Sequence, residues 1–382
     1  MQIVFAVFTP SLMFAKLAQT VTLQDYHLMV HSNEWFMPVN IGLTFLFGGI
    51  LGWIVVTILK PEPYLRGLII ASSSAGNLGN LPLIIVAAMC NEDGTPFGDH
   101  DVCNSVGLSY ASFSMAIGGI YIWTHSYQLI RISAMRHKAL LATEEVSRAP
   151  NKDLDANEEA SLLRGTQQHV TIVVPSTKSI EEDTENQAIV PQESSSKLEK
   201  DKESLWMGLL GILHQIAEEL LSPPNLAAIL GFIFGATTWL RNLIIGDSAP
   251  LRVIQDSVKL LGDGTIPCIT LILGGNLIQG LRSSRLKPLV IIGVLCVRYL
   301  ILPLIGIVVV KTASNLGFLP PDPLFRFVLL IQFTLPPAMN LGTMTQLFDV
   351  GREECSVIFL WTYLAAALAL TVWSTVYMWI LS

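Results

Sequence analysis

Residues 71–90 read ASSSAGNLGNLPLIIVAAMC, and six of them, Asn77 to Pro82 (NLGNLP), decide the fold. The chain on both sides is apolar enough to cross a bilayer. Two carboxamides, a glycine and a proline in that setting break a helix at membrane depth. Proline removes a helix hydrogen bond, so Pro82 would leave a carbonyl near Leu78 unpaired. In hydrocarbon every freed backbone group needs an internal partner. Such a break therefore survives only where it is buried in protein or lines a wet cavity.

The break has a counterpart. A shift of 260 residues lays RGLIIASSSAGNLGNLP (66–82) on RFVLLIQFTLPPAMNLG (326–342), with Arg66 on Arg326 and Asn80-Leu81 on Asn340-Leu341. Pro336 and Pro337 interrupt the second copy. The next spans also begin alike, Cys103-Asn104-Ser105-Val106 beside Cys355-Ser356-Val357. The proline-bearing segments TPSLMFAKLAQ (9–19) and IPCITLILGGNLIQ (266–279) occupy matching spans. A five-span repeat has an odd number of crossings, so its two copies insert in opposite orientation. Inverted repeats with interrupted helices at corresponding positions point to a secondary transporter.

Composition agrees. The 382 residues are 51% hydrophobic and only 14% charged, with a mean hydropathy of +0.54. A soluble chain carries roughly a quarter charged residues. Nine apolar spans are expected, at about 2–22, 35–59, 65–90, 104–130, 224–245, 256–280, 287–311, 324–348 and 354–381. The expected fold is an all-α polytopic membrane protein, an inverted repeat of five-helix units with two proline-broken crossing helices. The first repeat (1–131) holds four spans where the second (223–382) holds five. The chain is therefore expected to begin at the second helix of its repeat, as a shortened isoform or a misassigned start would. Its N-terminus lacks the features of a cleavable signal, because Pro10 and Lys16 interrupt the apolar run.

Between the repeats, residues 132–203 are rich in Glu, Lys, Ser, Asn and Gln and are expected to be a disordered cytosolic loop. Val170–Val174 (VTIVV) could form a short strand within it. After it, residues 204–222 have the periodicity of an interfacial amphipathic helix, with Glu218 and Glu219 on its polar side. Basic residues cluster in the connections at Lys60 and Arg66, at Arg131, Arg136 and Lys138, at Arg282, Arg285 and Lys287, and at Arg352. Segments 24–34 and 91–103 hold none. Arg241, Arg252, Lys311 and Arg326 blur the pattern in the second half. On balance the long loop and Met1 face the cytosol.

Half-helix N-termini at the breaks carry partial positive charge and bind anions. Asn77, Asn80 and Asn340 add amide donors without a permanent charge, a set suited to a carboxylate. The plainer alternative is a pair of proline kinks whose asparagines satisfy neighbouring backbone. Two kinks in register, each carrying Asn-Leu, favour the binding site. Lys16, Asp263 and Arg298 are charges within spans, where a charge is costly and usually functional. Asp263 could couple a proton or cation, or pair with a basic residue; near span ends, Asp263 could instead reach the interface and Lys16 snorkel. Asn276 and Gln279 suit helix packing.

His27 and His31 are spaced as HxxxH without a third ligand, so no metal is expected. No cofactor, phosphate loop or catalytic set is evident. Gly262-Asp263-Gly264 lacks the second aspartate of a membrane aspartyl protease, and the chain is not expected to be an enzyme. No basic patch supports nucleic-acid binding. Cys90 and Cys103 bracket a loop on the non-cytosolic side, where they could form a disulfide or remain free thiols.

These residues resemble the plant PIN-LIKES family, relatives of the PIN auxin efflux carriers. The resemblance rests on FTPSLMFAKLA, WFMPVN, RGLII, AGNLGNLPLII, the PFGD loop, SPPNLAAILGF, GTIPCITLILGGNL and LPPAMNLGTMTQLF, and it covers essentially the whole membrane part. It implies a five-plus-five inverted fold and residence in the endoplasmic reticulum membrane. It also implies movement of auxin (indole-3-acetic acid) between cytosol and lumen, which would shape auxin homeostasis and nuclear signalling. By position, Pro82, Pro336 and Pro337 would be the crossing prolines, with Asn77 or Asn80 and Asn340 holding the carboxylate. Expected partners are this anion, the lipid bilayer and, as an alternative to a monomer, a second copy in a homodimer. Alternatives are a sodium- or proton-coupled carrier of another organic anion, or a non-transporting regulatory isoform.

Overall fold

The structure, a computed structural model, describes residues 2–20, 35–92, 94–148, 221–246, 249–283 and 286–382. Apart from residues 142–148 these belong to one compact unit. Among them the regular structure is helical, with one isolated antiparallel bridge between Gly76 and Pro337. His27, His31, the 170–174 segment and the helix expected at 204–222 lie outside the described residues.

A π turn at Val4–Phe8 leads into α1 (Thr9–Thr20), and α2 spans Phe36–Leu59. The 24 residues of α2 reach about 36 Å, more than the roughly 30 Å of a hydrocarbon core. Next come α3 (Arg66–Ser74) and α4 (Asn80–Cys90), then α5 (His100–Tyr121), a π turn at Ile122–Ser126 and α6 (Tyr127–Arg148). In the second half lie α7 (Pro223–Ala236), α8 (Thr238–Ile244), α9 (Arg252–Asp263) and α10 (Thr265–Ser283). α11 (Pro288–Cys296) and α12 (Leu302–Asn315) flank a third π turn, Val297–Ile301. α13 (Pro323–Ile331), α14 (Asn340–Phe348) and α15 (Arg352–Leu381) complete the chain. Among the described residues five helical stretches are long and apolar enough to cross a membrane, which makes this a multi-pass, all-α membrane protein.

Two of the π turns end two residues before a proline, at Pro10 and Pro303. A proline ring displaces the carbonyl four residues back, and the widened turn accommodates it.

Two expectations need correction. Residues 224–245 do not form one straight span: α7 and α8 meet at 102°. The bend falls at Thr237, whose backbone is extended, within GATT, a run of mostly poor helix formers. Residues 132–148, expected to belong to a disordered loop, are instead helical, because α6 continues to Arg148. Its residues ISAMRHKALLATEEVSR (132–148) are mostly good helix formers, so the polar composition marks the helix leaving the apolar layer. The remainder of 132–203 lies outside the described residues.

Small residues let the helices touch backbone to backbone, as membrane packing favours. A Cβ placed on Gly48 of α2 would lie 2.5 Å from the Ser73 carbonyl oxygen of α3, and one on Gly262 of α9 would lie 2.7 Å from Leu12 Cα of α1. Between the outer helices, α13 is surrounded by protein: Phe325, Phe327, Val328, Leu329 and Ile331 are all fully buried. A helix in that position can be interrupted without exposing its backbone to lipid.

Candidate functional site

Both repeat-related helices are broken. α3 ends at Ser74 and α4 starts at Asn80; α13 ends at Ile331 and α14 starts at Asn340. The two unwound segments hydrogen-bond to each other in an antiparallel manner. The Asn77 amide donates to the Pro336 carbonyl (2.8 Å), and the Ala338 amide donates to the Ala75 carbonyl (2.9 Å). Each break thus supplies the internal partner that hydrocarbon denies to the other. Leu78 N–H closes a tight turn on the Gly76 carbonyl at 2.8 Å.

Side chains from surrounding helices brace this crossing. The Tyr363 hydroxyl of α15 donates to the Pro337 carbonyl (2.9 Å) and accepts from Asn77 Nδ2 (2.9 Å), so one oxygen joins both breaks. Asn40 of α2 donates to the Leu329 carbonyl (3.0 Å) and to Gln332 Oε1 (2.8 Å), while Gln332 donates to Ser114 Oγ of α5 (3.0 Å). This buried chain of amides fixes the C-terminal end of α13.

A cavity of about 510 Å³ opens beside the crossing, within the roughly 300–1,000 Å³ typical of small-molecule sites. Asn77, Leu78, Gly79 and Leu81 line it from the first break, and Ala338, Met339 and Asn340 from the second. The N-termini of α4 and α14 therefore both lie at it, where the dipole favours an anion, although the Leu341 and Gly342 amides of α14 already donate to the Ala338 and Met339 carbonyls. α1 contributes Thr9, Leu12, Met13 and Lys16; the α9–α10 junction contributes Asp263, Thr265, Ile266 and Ile269. The walls are Leu, Ile and Met, with no phenylalanine among the lining residues, although phenylalanine is the aromatic most abundant in the chain.

Of the residues singled out from sequence, Asn77, Asn340, Lys16 and Asp263 meet at this cavity. Asn80 opens α4 with its backbone; its side chain lies outside what the structure describes. The prolines do not line the cavity. Pro82 sits in the first turn of α4, where its missing N–H would lack a helix partner anyway, so the break precedes it at 75–79. Pro336 and Pro337 are buried in the second break and act through their carbonyls. Arg298 also lies off the cavity, fully buried. Cys90 and Cys103 are disulfide-bonded, with Cα atoms 5.5 Å apart, and fasten the far end of α4 to α5.

Sequence reasoning missed Tyr363, Thr9 and Thr265. The hydroxyls of Thr9 and Thr265 are buried without a hydrogen-bond partner beside the cavity. A signal for the threonines existed: Thr9 and Thr265 lie one and two residues before Pro10 and Pro267, the prolines of the matched segments. Tyr363 had none, since it reads as one more aromatic in an apolar helix.

A family model described as membrane transport protein matches residues 1–374. PIN-LIKES 7 of Arabidopsis thaliana is 60% identical over 381 residues, covering 100% of this chain and 89% of its own length. PIN-LIKES 5 of the same plant is 57% identical over 378 residues, covering 99% and 88%. An uncharacterized transporter of Saccharomyces cerevisiae is 25% identical over 386 residues, covering 96% and 84%. The chain belongs to the membrane transport protein family.

Proposed function

We propose that this protein is a carrier or facilitator for a weak-acid anion, auxin (indole-3-acetic acid), in the endoplasmic reticulum membrane. The observation that carries the proposal is the convergence of two half-helix N-termini with Asn77, Asn340 and Lys16 on one apolar-walled cavity. Amide and backbone donors suit the carboxylate, and the Leu, Ile and Met walls suit the indole ring. An auxin carboxyl is ionised at neutral pH, so a site of donors and partial positive charge binds the prevailing form.

The proposed mechanism is alternating access. Two repeat-derived units of opposite orientation, of four and five spans, rock against each other around the crossing, whose mutual hydrogen bonds keep the site intact during the motion. Asp263, on the cavity wall, is the candidate group for proton or cation coupling. The Cys90–Cys103 disulfide supports this location, since an oxidising lumen on the side of the loop between them would favour it, with residues 149–203 then on the cytosolic side. Retention in that membrane would lower the auxin available to nuclear signalling.

The test is uptake of radiolabelled indole-3-acetic acid into vesicles bearing the protein, compared with Asn77→Ala, Asn80→Ala and Asn340→Ala variants. Loss of a hydrogen bond to a charged group costs about 1.5–3 kcal/mol, so a contributing asparagine lowers apparent affinity roughly tenfold or more. Accumulation equal to the parent in all three variants removes these amides from the mechanism.

A further inference from the structure

Arg298 is the largest charged side chain fully enclosed by protein among the described residues, at 0% exposure. It stands on the π turn Val297–Ile301, which interrupts the α11–α12 span. Its Nε donates to the Ser72 carbonyl in the last turn of α3 at 2.9 Å. Nη1 and Nη2 are buried with no hydrogen-bond partner. A guanidinium offers five N–H donors, and one bond leaves most of them idle. No carboxylate among the described residues is bonded to it.

Its position is informative. A Cβ built on Gly76 would lie 3.4 Å from Arg298 Nη1, so the guanidinium lies against the first break. Gly76 is the residue bridged to Pro337, and the next residue, Asn77, lines the cavity. The cation therefore stands one residue behind the cavity wall, under the point where the breaks pair. A buried cation without a counter-ion is destabilising by several kcal/mol, and removal of a partner from a buried pair is costly for the same reason. Capping the C-terminus of α3 needs only the Nε bond to Ser72 and gives no role to the idle Nη atoms. An anion in the cavity would supply the missing charge.

We propose that Arg298 is the charge-selecting residue of the crossing, a buried guanidinium whose counter-charge is the carboxylate of the anion held in the cavity. It acts through the Gly76–Asn77 backbone and through the field, without touching the ligand. The effect favours the ionised acid over a neutral isostere and leaves the apolar contacts alone. This rests on the reading of the cavity as an anion site.

The test compares indole-3-acetic acid with indole-3-acetamide at pH 7 by equilibrium binding to the purified full chain. The parent is expected to prefer the acid. In Arg298→Gln the acid weakens by about tenfold or more, the effect of a unit charge across partly screened protein. The acetamide weakens by less than about threefold, and Arg298→Lys, which keeps the charge, restores most of the discrimination. Equal weakening of both ligands in Arg298→Gln marks a structural role and overturns the proposal, as does an Arg298→Lys variant that discriminates no better than Arg298→Gln. A parent that binds both ligands equally overturns it without any variant, which covers the case of a glutamine variant that fails to fold. A parent that binds neither ligand overturns the anion-site reading itself.

Discussion

Replacing Tyr363 by phenylalanine deletes one oxygen and two hydrogen bonds, those to the Pro337 carbonyl and from Asn77 Nδ2, each 2.9 Å long. Hydrogen bonds between membrane helices contribute about 0.6 kcal/mol on average and up to about 1.7 kcal/mol. Tyr363→Phe should thus destabilise the protein by about 1–3 kcal/mol. The upper half of that range is favoured because Pro337 is buried and its carbonyl keeps no replacement partner. Asn77→Ala removes one of the same two bonds. The double variant should therefore lose less than the sum of the single losses, with a coupling energy of about 0.6–1.7 kcal/mol. The assay is equilibrium unfolding in mixed micelles of the parent, both single variants and the double variant. Additivity within about 0.3 kcal/mol would refute the claim that Tyr363 ties the first break to the second.

Gly48→Ala places a methyl group 2.5 Å from the Ser73 carbonyl oxygen and 2.7 Å from Ser74 Cα, whereas the nearest atom to a Cβ on the adjacent Gly49 is 4.0 Å away. Thermal unfolding should show Gly48→Ala destabilised by about 1–3 kcal/mol and Gly49→Ala nearly neutral; equal shifts would contradict the close approach of α2 and α3. Alkylation under denaturing, non-reducing conditions should label Cys268, Cys296 and Cys355 and spare Cys90 and Cys103, which become reactive only after reduction. Replacing the bonded pair by serine should lower stability by about 3 kcal/mol, the value for a loop of similar length. Five labelled thiols without reductant would exclude the disulfide.

Much of the architecture was legible because it is written in local pattern. Apolar length marks α2, the α11–α12 span and α15 without reference to any neighbour. The two breaks were visible because proline, glycine and asparagine in an apolar run conflict with a continuous helix, and the 260-residue register linked them. The prolines misled on one point. The break was read across Asn77–Pro82, with Pro82 freeing a carbonyl near Leu78, yet the chain unwinds at 75–79 and Pro82 helps to start the following half-helix. The bend at Thr237 was equally hidden, since GATT in an apolar span carries no stop signal as strong as proline.

The sequence alone determined that this is an all-α multi-pass membrane protein with two interrupted helices, and that Lys16, Asn77, Asp263 and Asn340 are polar or charged residues set in or at the ends of apolar spans. Hydrophobicity and helix-breaking chemistry act within a few residues, so they can be read along the chain. Only the tertiary structure decided that those four residues share one cavity, that a tyrosine of the last helix joins the breaks, and that Arg298 lies behind them with idle donors. The Asn77–Tyr363 bond alone joins residues 286 positions apart, and no local propensity encodes which helix faces which. Packing of small residues and the need of freed backbone groups for partners inside the membrane decide it.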